Sequence, residues 1–202
     1  MTPSLSGAVR GDDGRLRCPW GDAPDDYRAY HDDEWGRTVH GDTAIFERLS
    51  LEAFQCGLSW LTVLRRRADL RRAFADFDIH AVAAFDAAMI ASLAADVRLI
   101  RHVGKIEAVV SNARILRDWQ AEDGVGVLDH EVWLCATTAL SQAQAPQTMA
   151  DVPTTVPAAV DLATGLRRRG WRFIGPTTAY ATLQAMGVVD DHLVDCHARG
   201  AG

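Results

Sequence analysis

A single carboxylate lies among apolar side chains in residues 51–60. If this stretch begins as a helix that turns about 100° per residue, Glu52 faces the same side as Ile45 and Leu49. An ionised carboxylate that faces a core costs several kcal/mol unless it is paired, hydrogen-bonded or placed at a cavity wall. Glu52 is therefore either a buried glutamate paired with an arginine or the carboxylate of a binding site.

Two pairs of cysteine and histidine lie near the two ends of the chain. Cys18 and His31 are close together in the first pair, and His192 and Cys196 are one helical turn apart in the second. Two thiolates and two imidazoles suit a tetrahedral zinc ion. Because four protein ligands would complete its coordination, such a zinc would be structural. The alternative is chance placement, since the two pairs are far apart in sequence.

Residues 100–108 resemble the helix-hairpin-helix DNA-binding motif, with matches at Ile100, Val103, Gly104 and Ala108. Arg101 and His102 replace the usual proline and first glycine. Gly104 would let backbone N–H groups at a helix N-terminus approach a phosphate, and Arg101 or Lys105 would add positive charge. An ordinary helical hairpin with a glycine stop explains the same residues equally well.

Aromatic residues cluster in the first third of the chain, at Trp20, Tyr27, Tyr30, Trp35 and Trp60. Rings close to a partly buried carboxylate suit a flat, electron-poor ligand that stacks on them and donates hydrogen bonds from its edge. The alternative is that these rings simply fill the core.

The elements that must position these residues are helical. We predict helices over residues 43–56, 59–75, 78–85, 86–95, 106–120, 129–140, 157–169 and 177–186, with a hairpin over 98–106, a turn over 121–126 and a connector over 144–156. Asp42, Ser59, Asp78 and Asp86 are expected at or near their helix N-termini. No strongly alternating strand is present, so we expect an all-α protein.

Composition narrows the class of protein. The chain has 202 residues, 48% of them hydrophobic and 24% charged, as in ordinary globular domains. It has no apolar run of membrane-spanning length and no signal-peptide pattern, so we expect a cytoplasmic location. The net charge of −6 argues mildly against nucleic-acid binding, but a binding face need only be locally basic.

Taken together, these stretches resemble bacterial 3-methyladenine DNA glycosylase I, with the motifs in order over residues 17–196. The matching segments are residues 17–20, 29–36, 51–52, 57–64, 100–102, 104–106, 168–170 with Phe173, and 191–192 with Cys196. The resemblance implies an all-α helix-hairpin-helix glycosylase fold. It also implies one catalytic domain over residues 17–197, with two lobes around a base pocket. Residues 1–16 are rich in glycine, serine, proline and charge without periodicity, so we expect a flexible extension there, with a short tail over 198–202.

The resemblance further implies hydrolysis of the N-glycosidic bond of 3-methyladenine in double-stranded alkylated DNA, by an enzyme that flips the nucleotide and leaves an abasic site. We also expect the protein to be a monomer. The family's zinc ligands fall on Cys18, His31, His192 and Cys196, and no organic cofactor is implied. Its base-pocket residues fall on Glu52, Tyr30 and Trp60, with Tyr27, Trp20 and Trp35 nearby. Asp123 lies where many relatives in the wider superfamily place a catalytic aspartate, but it reads as part of a surface turn.

The DNA contacts expected on this basis are Arg101, Gly104 and Lys105 in the hairpin, with Leu58 as a residue that either enters the duplex or packs in the core. Two rival functions remain at this stage. One is a DNA-binding module without catalysis, and the other is a hydrolase that uses zinc directly.

Overall fold

The computed structural model describes residues 7–136 and 145–201. Within these ranges nine α-helices dominate, joined by two 3-10 turns, Pro19–Gly21 and Ala75–Phe77. The helices are α1 Asp25–Asp33, α2 Asp42–Gln55, α3 Trp60–Ala73, α4 Ile79–Ala83, α5 Ala87–Ala95, α6 Val103–Asp123, α7 Val127–Leu134, α8 Pro157–Arg168 and α9 Pro176–Ala185. The mainly helical fold is thus confirmed. No helix in the described ranges is long and apolar enough to cross a membrane.

Short polar side chains start several helices where the sequence predicts. The Ser59 hydroxyl accepts a hydrogen bond from the Thr62 N–H at 3.2 Å at the start of α3. Asp78 and Asp86 cap α4 and α5 in the same way. Gly57, which follows α2, has φ +79°, a left-handed conformation that side-chain-bearing residues rarely adopt. Because this glycine ends the helix, the chain turns sharply between α2 and α3.

Helix α2 lies at the centre of the structure. Its residues Ile45, Phe46, Leu49 and Leu51 are completely buried, and it packs against α3, α6, α7 and α9. Because apolar side chains cover several faces of α2, the helix is surrounded by other elements instead of lying on the surface. The fold therefore delivers residues of this helix to the interior.

Asp42 does not cap α2, contrary to the sequence prediction. It is the first residue of α2, and its carboxylate accepts hydrogen bonds from the N–H groups of Gly126, Leu128 and Asp129 at 2.8–3.0 Å. These groups lie at the start of α7, so Asp42 caps a helix far away in the sequence. Helix α7 consequently begins at Val127, two residues before the start of the helix predicted over residues 129–140. Residues 137–140 of that predicted helix lie outside the described residues.

The N-terminal segment contains a strand pair that the sequence does not predict. β1 (Val9–Arg10) pairs antiparallel with β2 (Leu16–Arg17). The buried guanidinium of Arg17 bonds to Asp13 within this segment and to Asp32 near the end of α1, with its Nε 2.9 Å from Asp32 Oδ1. In the described part of the extension, ion pairs therefore attach the hairpin to the helical body.

Helices α5 and α6 form the predicted helical hairpin, with residues 96–102 between them. The His102 imidazole caps α6 by accepting a hydrogen bond from the Lys105 N–H at 3.2 Å. Helix α6 is longer than predicted and continues to Asp123, whose carboxylate accepts a hydrogen bond from the Trp119 indole. Asp123 thus lies in the last turn of a helix and not in the predicted surface turn, and the Arg169 guanidinium is 3.9 Å from the same carboxylate.

Candidate functional site: an aromatic pocket and a cysteine–histidine cluster

A cavity of about 260 Å³ opens beside α2. All six residues predicted to bind a base line it: Trp20, Tyr27, Tyr30, Trp35, Glu52 and Trp60. They come from the first 3-10 turn, from α1 and the residue pair that follows it, and from α2 and α3. The structure therefore brings together side chains that the sequence distributes over 41 positions, from 20 to 60.

Glu52 is buried, with 5% of its surface exposed, and its carboxyl lies at the pocket wall. Burial raises the pKa of Glu52 to about 8, an increase that the positive charge of Arg48, one turn earlier on α2, reduces. Arg48 acts on Glu52 through its charge alone, since its guanidinium lies 3.8 Å from an oxygen of Glu34. A buried carboxyl whose pKa lies close to neutral changes its charge readily when a cation approaches.

The rings form a continuous aromatic surface around this carboxyl. The Tyr30 and Trp60 ring centroids are 5.2 Å apart, and Trp20 contacts Tyr27 at 5.1 Å and Trp35 at 4.9 Å. The indole Nε1 of Trp60 is buried and has no hydrogen-bond partner within the described part of the chain. The pocket thus offers π faces and an acid.

The four predicted metal ligands meet in one buried cluster next to the pocket. The ligand atoms of Cys18, His31, His192 and Cys196 all lie within 4.8 Å of one another. The Cys196 sulfur is 3.5 Å from His31 Nε2 and 3.4 Å from His192 Nδ1, and the Cys18 sulfur is 3.8 Å from His192 Nδ1. A tetrahedral ion bound to sulfur at 2.3 Å and nitrogen at 2.0–2.1 Å would separate its ligand atoms by about 3.4–3.8 Å. The residues fit a metal ion.

The surroundings of the two imidazoles also fit metal binding. His31 Nδ1 is 2.8 Å from an oxygen of Asp32, and His192 Nε2 is 3.3 Å from the backbone oxygen of Trp35. Each imidazole therefore has one nitrogen occupied by an acceptor while the other nitrogen faces the cysteines, the arrangement usual for metal-ligating histidines. The hydrogen bond from Cys18, followed by those from the histidines, lowers the pKa of the Cys196 thiol. The cluster thus favours a thiolate.

The cluster and the pocket share chain segments. Tyr30 of the pocket precedes His31, and Asp191 of the pocket precedes His192. The Trp35 ring also contacts the His192 ring, with centroids 4.5 Å apart. Holding the four ligands together therefore also fixes one side of the pocket.

The four residues predicted to contact DNA have different surroundings. Arg101 is exposed in the turn between α5 and α6, and Gly104 lies partly exposed in the first turn of α6. Leu58 is 42% exposed in the turn after α2, which excludes the core alternative for its side chain. These three residues are accessible to a large partner.

Lys105 does not reach the surface, so the prediction that its ammonium group binds phosphate is wrong. The residue is 4% exposed, and Nζ donates hydrogen bonds to the backbone oxygens of Phe54 at 2.8 Å and Cys56 at 2.5 Å. These carbonyls lie at the C-terminus of α2, where a cation is favoured by the helix dipole. Burial lowers the pKa of Lys105. Its function is to join α6 to the end of the helix that carries Glu52.

Several pocket residues were not predicted from the sequence: Gln55, Met149, Val152, Ala181, Gln184 and Asp191. Ala181 and Gln184 lie three positions apart on one face of α9, and Asp191 directly precedes a metal-ligand candidate. These spacings are visible in the sequence, but they do not predict that α9 packs beside α2. Met149 and Val152 come from the connector, which has no periodicity that would place it.

An aromatic, acidic pocket in a helical fold is suited to a flat nitrogenous ring, and similarity to known proteins shows the class of protein. The methyladenine glycosylase family model matches residues 20–199. DNA-3-methyladenine glycosylase 1 of Escherichia coli K12 is 38% identical over 180 residues, 89% of this chain and 95% of the relative. The DNA-3-methyladenine glycosylase of Haemophilus influenzae is 39% identical, over 89% of this chain and 96% of the relative.

Solved structures give the same result. A crystal structure of 3-methyladenine DNA glycosylase I has a TM-score of 0.83 and 37% identity, and the match covers 91% of this chain and 99% of that one. A tyrosine-to-phenylalanine variant of 3-methyladenine DNA glycosylase I, in complex with 3-methyladenine, has a TM-score of 0.83 and 30% identity over 91% and 97% of the two chains. The chain belongs to the methyladenine glycosylase family and is therefore an enzyme of the DNA glycosylase class.

Proposed function

We propose that this protein removes 3-methyladenine from alkylated double-stranded DNA by hydrolysing the N-glycosidic bond and leaving an abasic site. The observation that carries the proposal is the buried Glu52 carboxyl at the wall of an aromatic pocket. Relatives named for this activity, and a related structure in complex with 3-methyladenine, support it.

The pocket is suited to the charge of the damaged base. Methylation at N3 makes adenine cationic while it is attached to the sugar, so the ring is attracted both to a carboxylate and to aromatic faces. Tyr30 and Trp60 stack on the base, and Glu52 accepts hydrogen bonds from its edge. Tyr27, Trp20 and Trp35 complete the aromatic wall. Ordinary adenine is neutral and lacks this charge attraction, which explains its rejection.

Glu52 must be ionised for this interaction. A cationic base against the carboxylate lowers the pKa of about 8, because an opposite charge favours the charged form. Arg48 acts in the same direction before the base arrives. Binding of the charged base and ionisation of Glu52 therefore reinforce each other.

The cleavage step needs little chemical assistance. When the C1′–N9 bond breaks, its electron pair passes to the ring and cancels the positive charge, so the base leaves as neutral 3-methyladenine. Water adds its oxygen to C1′ and releases one proton, which gives the abasic sugar. The protein's main task is to flip the nucleotide out of the duplex and hold the base, at a cost of a few kcal/mol of unstacking.

The exposed Leu58 is placed to help with flipping. It lies on the sharp turn at Gly57, directly between the helices that carry Glu52 and Trp60. An apolar side chain inserted between base pairs compensates for the flipped nucleotide. Arg101 and the N–H groups around Gly104 contact phosphates of the same duplex.

The cysteine–histidine cluster holds one zinc ion in this proposal. Cys18, His31, His192 and Cys196 provide a complete tetrahedral set, and two sulfur with two nitrogen ligands suit zinc. With four protein ligands the ion supplies cross-linking stability and no activated water. It joins the N-terminal segment to the C-terminal segment beside the pocket. This closed ligand set argues against a hydrolase that uses zinc directly.

The test is base release from methylated duplex DNA, with two matched variants. Glu52→Gln removes the pocket charge, whereas Glu47→Gln removes a carboxylate that lies on the same helix and pairs with Arg71 outside the pocket. We expect Glu52→Gln to slow the release of 3-methyladenine at least tenfold, roughly the loss of one charged hydrogen bond, and Glu47→Gln to keep wild-type release. Equal rates for all three proteins would refute the role of Glu52. DNA binding without base release would support a non-catalytic module instead.

A further inference from the structure

The Asp32 carboxylate lies between the cysteine–histidine cluster and the N-terminal strand pair. Asp32 directly follows the candidate ligand His31, and its side chain is largely buried. One carboxylate oxygen, Oδ1, is 2.8 Å from His31 Nδ1 and 3.0 Å from His197 Nε2. Arg17 donates to both oxygens, from Nε to Oδ1 at 2.9 Å and from Nη2 to Oδ2 at 2.7 Å. Three nitrogen-bearing side chains therefore converge on one acid.

These contacts determine which nitrogen of His31 carries the proton. A carboxylate only accepts hydrogen bonds, and the Arg17 guanidinium supplies its opposite charge, so the Nδ1 atom that faces Asp32 must be the N–H of the neutral imidazole. The other nitrogen, Nε2, then keeps its lone pair and lies 3.5 Å from the Cys196 sulfur. A metal ion binds a ring nitrogen through that lone pair. Asp32 thus presents His31 in the tautomer that can ligate a metal.

The second imidazole is supported differently. His192 turns Nδ1 toward the Cys196 sulfur at 3.4 Å, and its Nε2 lies 3.3 Å from the backbone oxygen of Trp35. The two histidines therefore have opposite tautomers. Because a backbone oxygen supports His192 and a side chain supports His31, a substitution can remove the support of His31 alone.

Packing confines the His31 ring and connects it to the aromatic pocket. A β-carbon added to Gly21 would collide with the ring, and the Trp20 ring packs edge-on against it with centroids 4.9 Å apart. Trp20 also lines the pocket. Packing thus limits where the imidazole can lie, and the hydrogen bond to Asp32 decides which nitrogen faces the cysteines.

We infer that Asp32 is a positioning residue for the metal site: its carboxylate holds His31 with Nε2 toward the cysteines, while Arg17 and His197 hold the carboxylate. This inference rests on the zinc site of the proposed function. Arg17 belongs to β2, and His197 directly follows Cys196. The same carboxylate therefore joins the two ends of the chain beside the cluster, and its removal weakens metal binding although all four ligands remain.

Zinc binding by Asp32→Asn tests the inference, with dissociation constants measured by competition with a chromophoric chelator. An amide has one acceptor end, so it cannot accept from both Arg17 and the imidazoles. We expect zinc binding to weaken about 10- to 100-fold, the usual effect of losing such a partner. The visible absorption of the cobalt(II)-substituted protein should change as well, because it reports the geometry of the ligands. An unchanged dissociation constant would overturn the role of Asp32.

Asp13→Asn is the matched control. Among the residues that the structure describes, Asp13 pairs with the same guanidinium, at 2.8 Å from Arg17 Nη1, but not with a candidate ligand. This variant should keep the zinc affinity and the cobalt spectrum of the wild type. Equal losses in both variants would show that the strand pair supports the site without the contact to His31, and would overturn the inference.

Nitrogen-15 NMR of the zinc-bound wild-type protein tests the same contact if Asp32→Asn does not fold. We expect the proton of His31 on Nδ1 and the proton of His192 on Nε2. A His31 that carries its proton on Nε2 would overturn the inference.

The outcomes separate this inference from the proposed function. Wild-type protein that binds no zinc would refute the proposed zinc site itself. Wild-type protein that binds zinc, with an unchanged affinity in Asp32→Asn, would overturn only the role of Asp32. Base release from methylated DNA tests the glycosylase activity independently of both results.

Discussion

Replacing Glu52 with glutamine should make the ligand-free protein more stable at high pH. The pKa of this carboxyl is raised by burial from 4.5 to about 8. A tenfold change in proton affinity corresponds to about 1.4 kcal/mol, so keeping the carboxylate ionised in the folded protein costs about 5 kcal/mol. Because the folded state binds the proton more tightly than the unfolded chain, this cost is absent below pH 4.5, grows between pH 4.5 and 8, and is complete above pH 8.

Urea unfolding of the wild-type protein and of Glu52→Gln between pH 5 and pH 9 measures this ionisation cost directly. The two free energies of unfolding should nearly agree at pH 5, and the variant should be more stable by about 3 kcal/mol at pH 7 and by about 5 kcal/mol at pH 9. Glu47→Gln, which loses its ion pair with Arg71, should show no such gain. A stability difference between wild type and Glu52→Gln that does not change with pH would refute the reasoning.

Lys105→Met should reduce the free energy of unfolding in urea by about 2 kcal/mol, because it leaves two carbonyls at the end of α2 without a donor. The same variant should not change the salt dependence of DNA binding. Arg101→Ala should reduce the salt slope of DNA binding by about one, and an unchanged slope would remove Arg101 from the interface. Leu58→Ala should slow base release from duplex DNA while free 3-methyladenine still binds with wild-type affinity; equal losses in both would place Leu58 in the pocket wall. Cys196→Ala should abolish stoichiometric metal binding and lower the melting temperature, and a melting curve of the wild-type protein that a chelator does not change would exclude a structural metal.

Much of the site could be predicted because its residues carry local signals. Glu52 breaks the apolar pattern of α2, and helical periodicity is enough to show that it faces inward. The cysteine and histidine pairs have the chemistry of a tetrahedral site, and the structure places all four in one cluster. Helix starts at Ser59, Asp78 and Asp86 depend on a hydrogen bond to a residue three positions away, which sequence alone reveals.

The errors occur where a side chain finds its partner far away in the sequence. Asp42 has the residue type and position of a cap for α2, yet its carboxylate caps α7, 84–87 residues later. Lys105 lies in a basic hairpin, but its long side chain turns inward to the end of α2. The pairing of Val9 with Arg17 is also too short to produce an alternating pattern. Tertiary packing determines each of these three contacts, and no local sequence pattern encodes tertiary packing.

The same limit explains why half of the pocket wall was missed. Gln184 and Asp191 are ordinary polar residues in the sequence, and they matter only because α9 packs against α2. Glu52 was visible in the sequence as an exception to the apolar pattern of α2. Gln184 and Asp191 became apparent as pocket residues only with the fold.

The identity of the base released from methylated duplex DNA tests the central claim most directly. DNA that contains both 3-methyladenine and 7-methylguanine would be incubated with the purified protein, and the free bases would be separated by chromatography and quantified by mass spectrometry. The account predicts that 3-methyladenine appears in solution with an equal number of abasic sites in the DNA, while 7-methylguanine stays attached. Release of no base, or of both bases at similar rates, would contradict it.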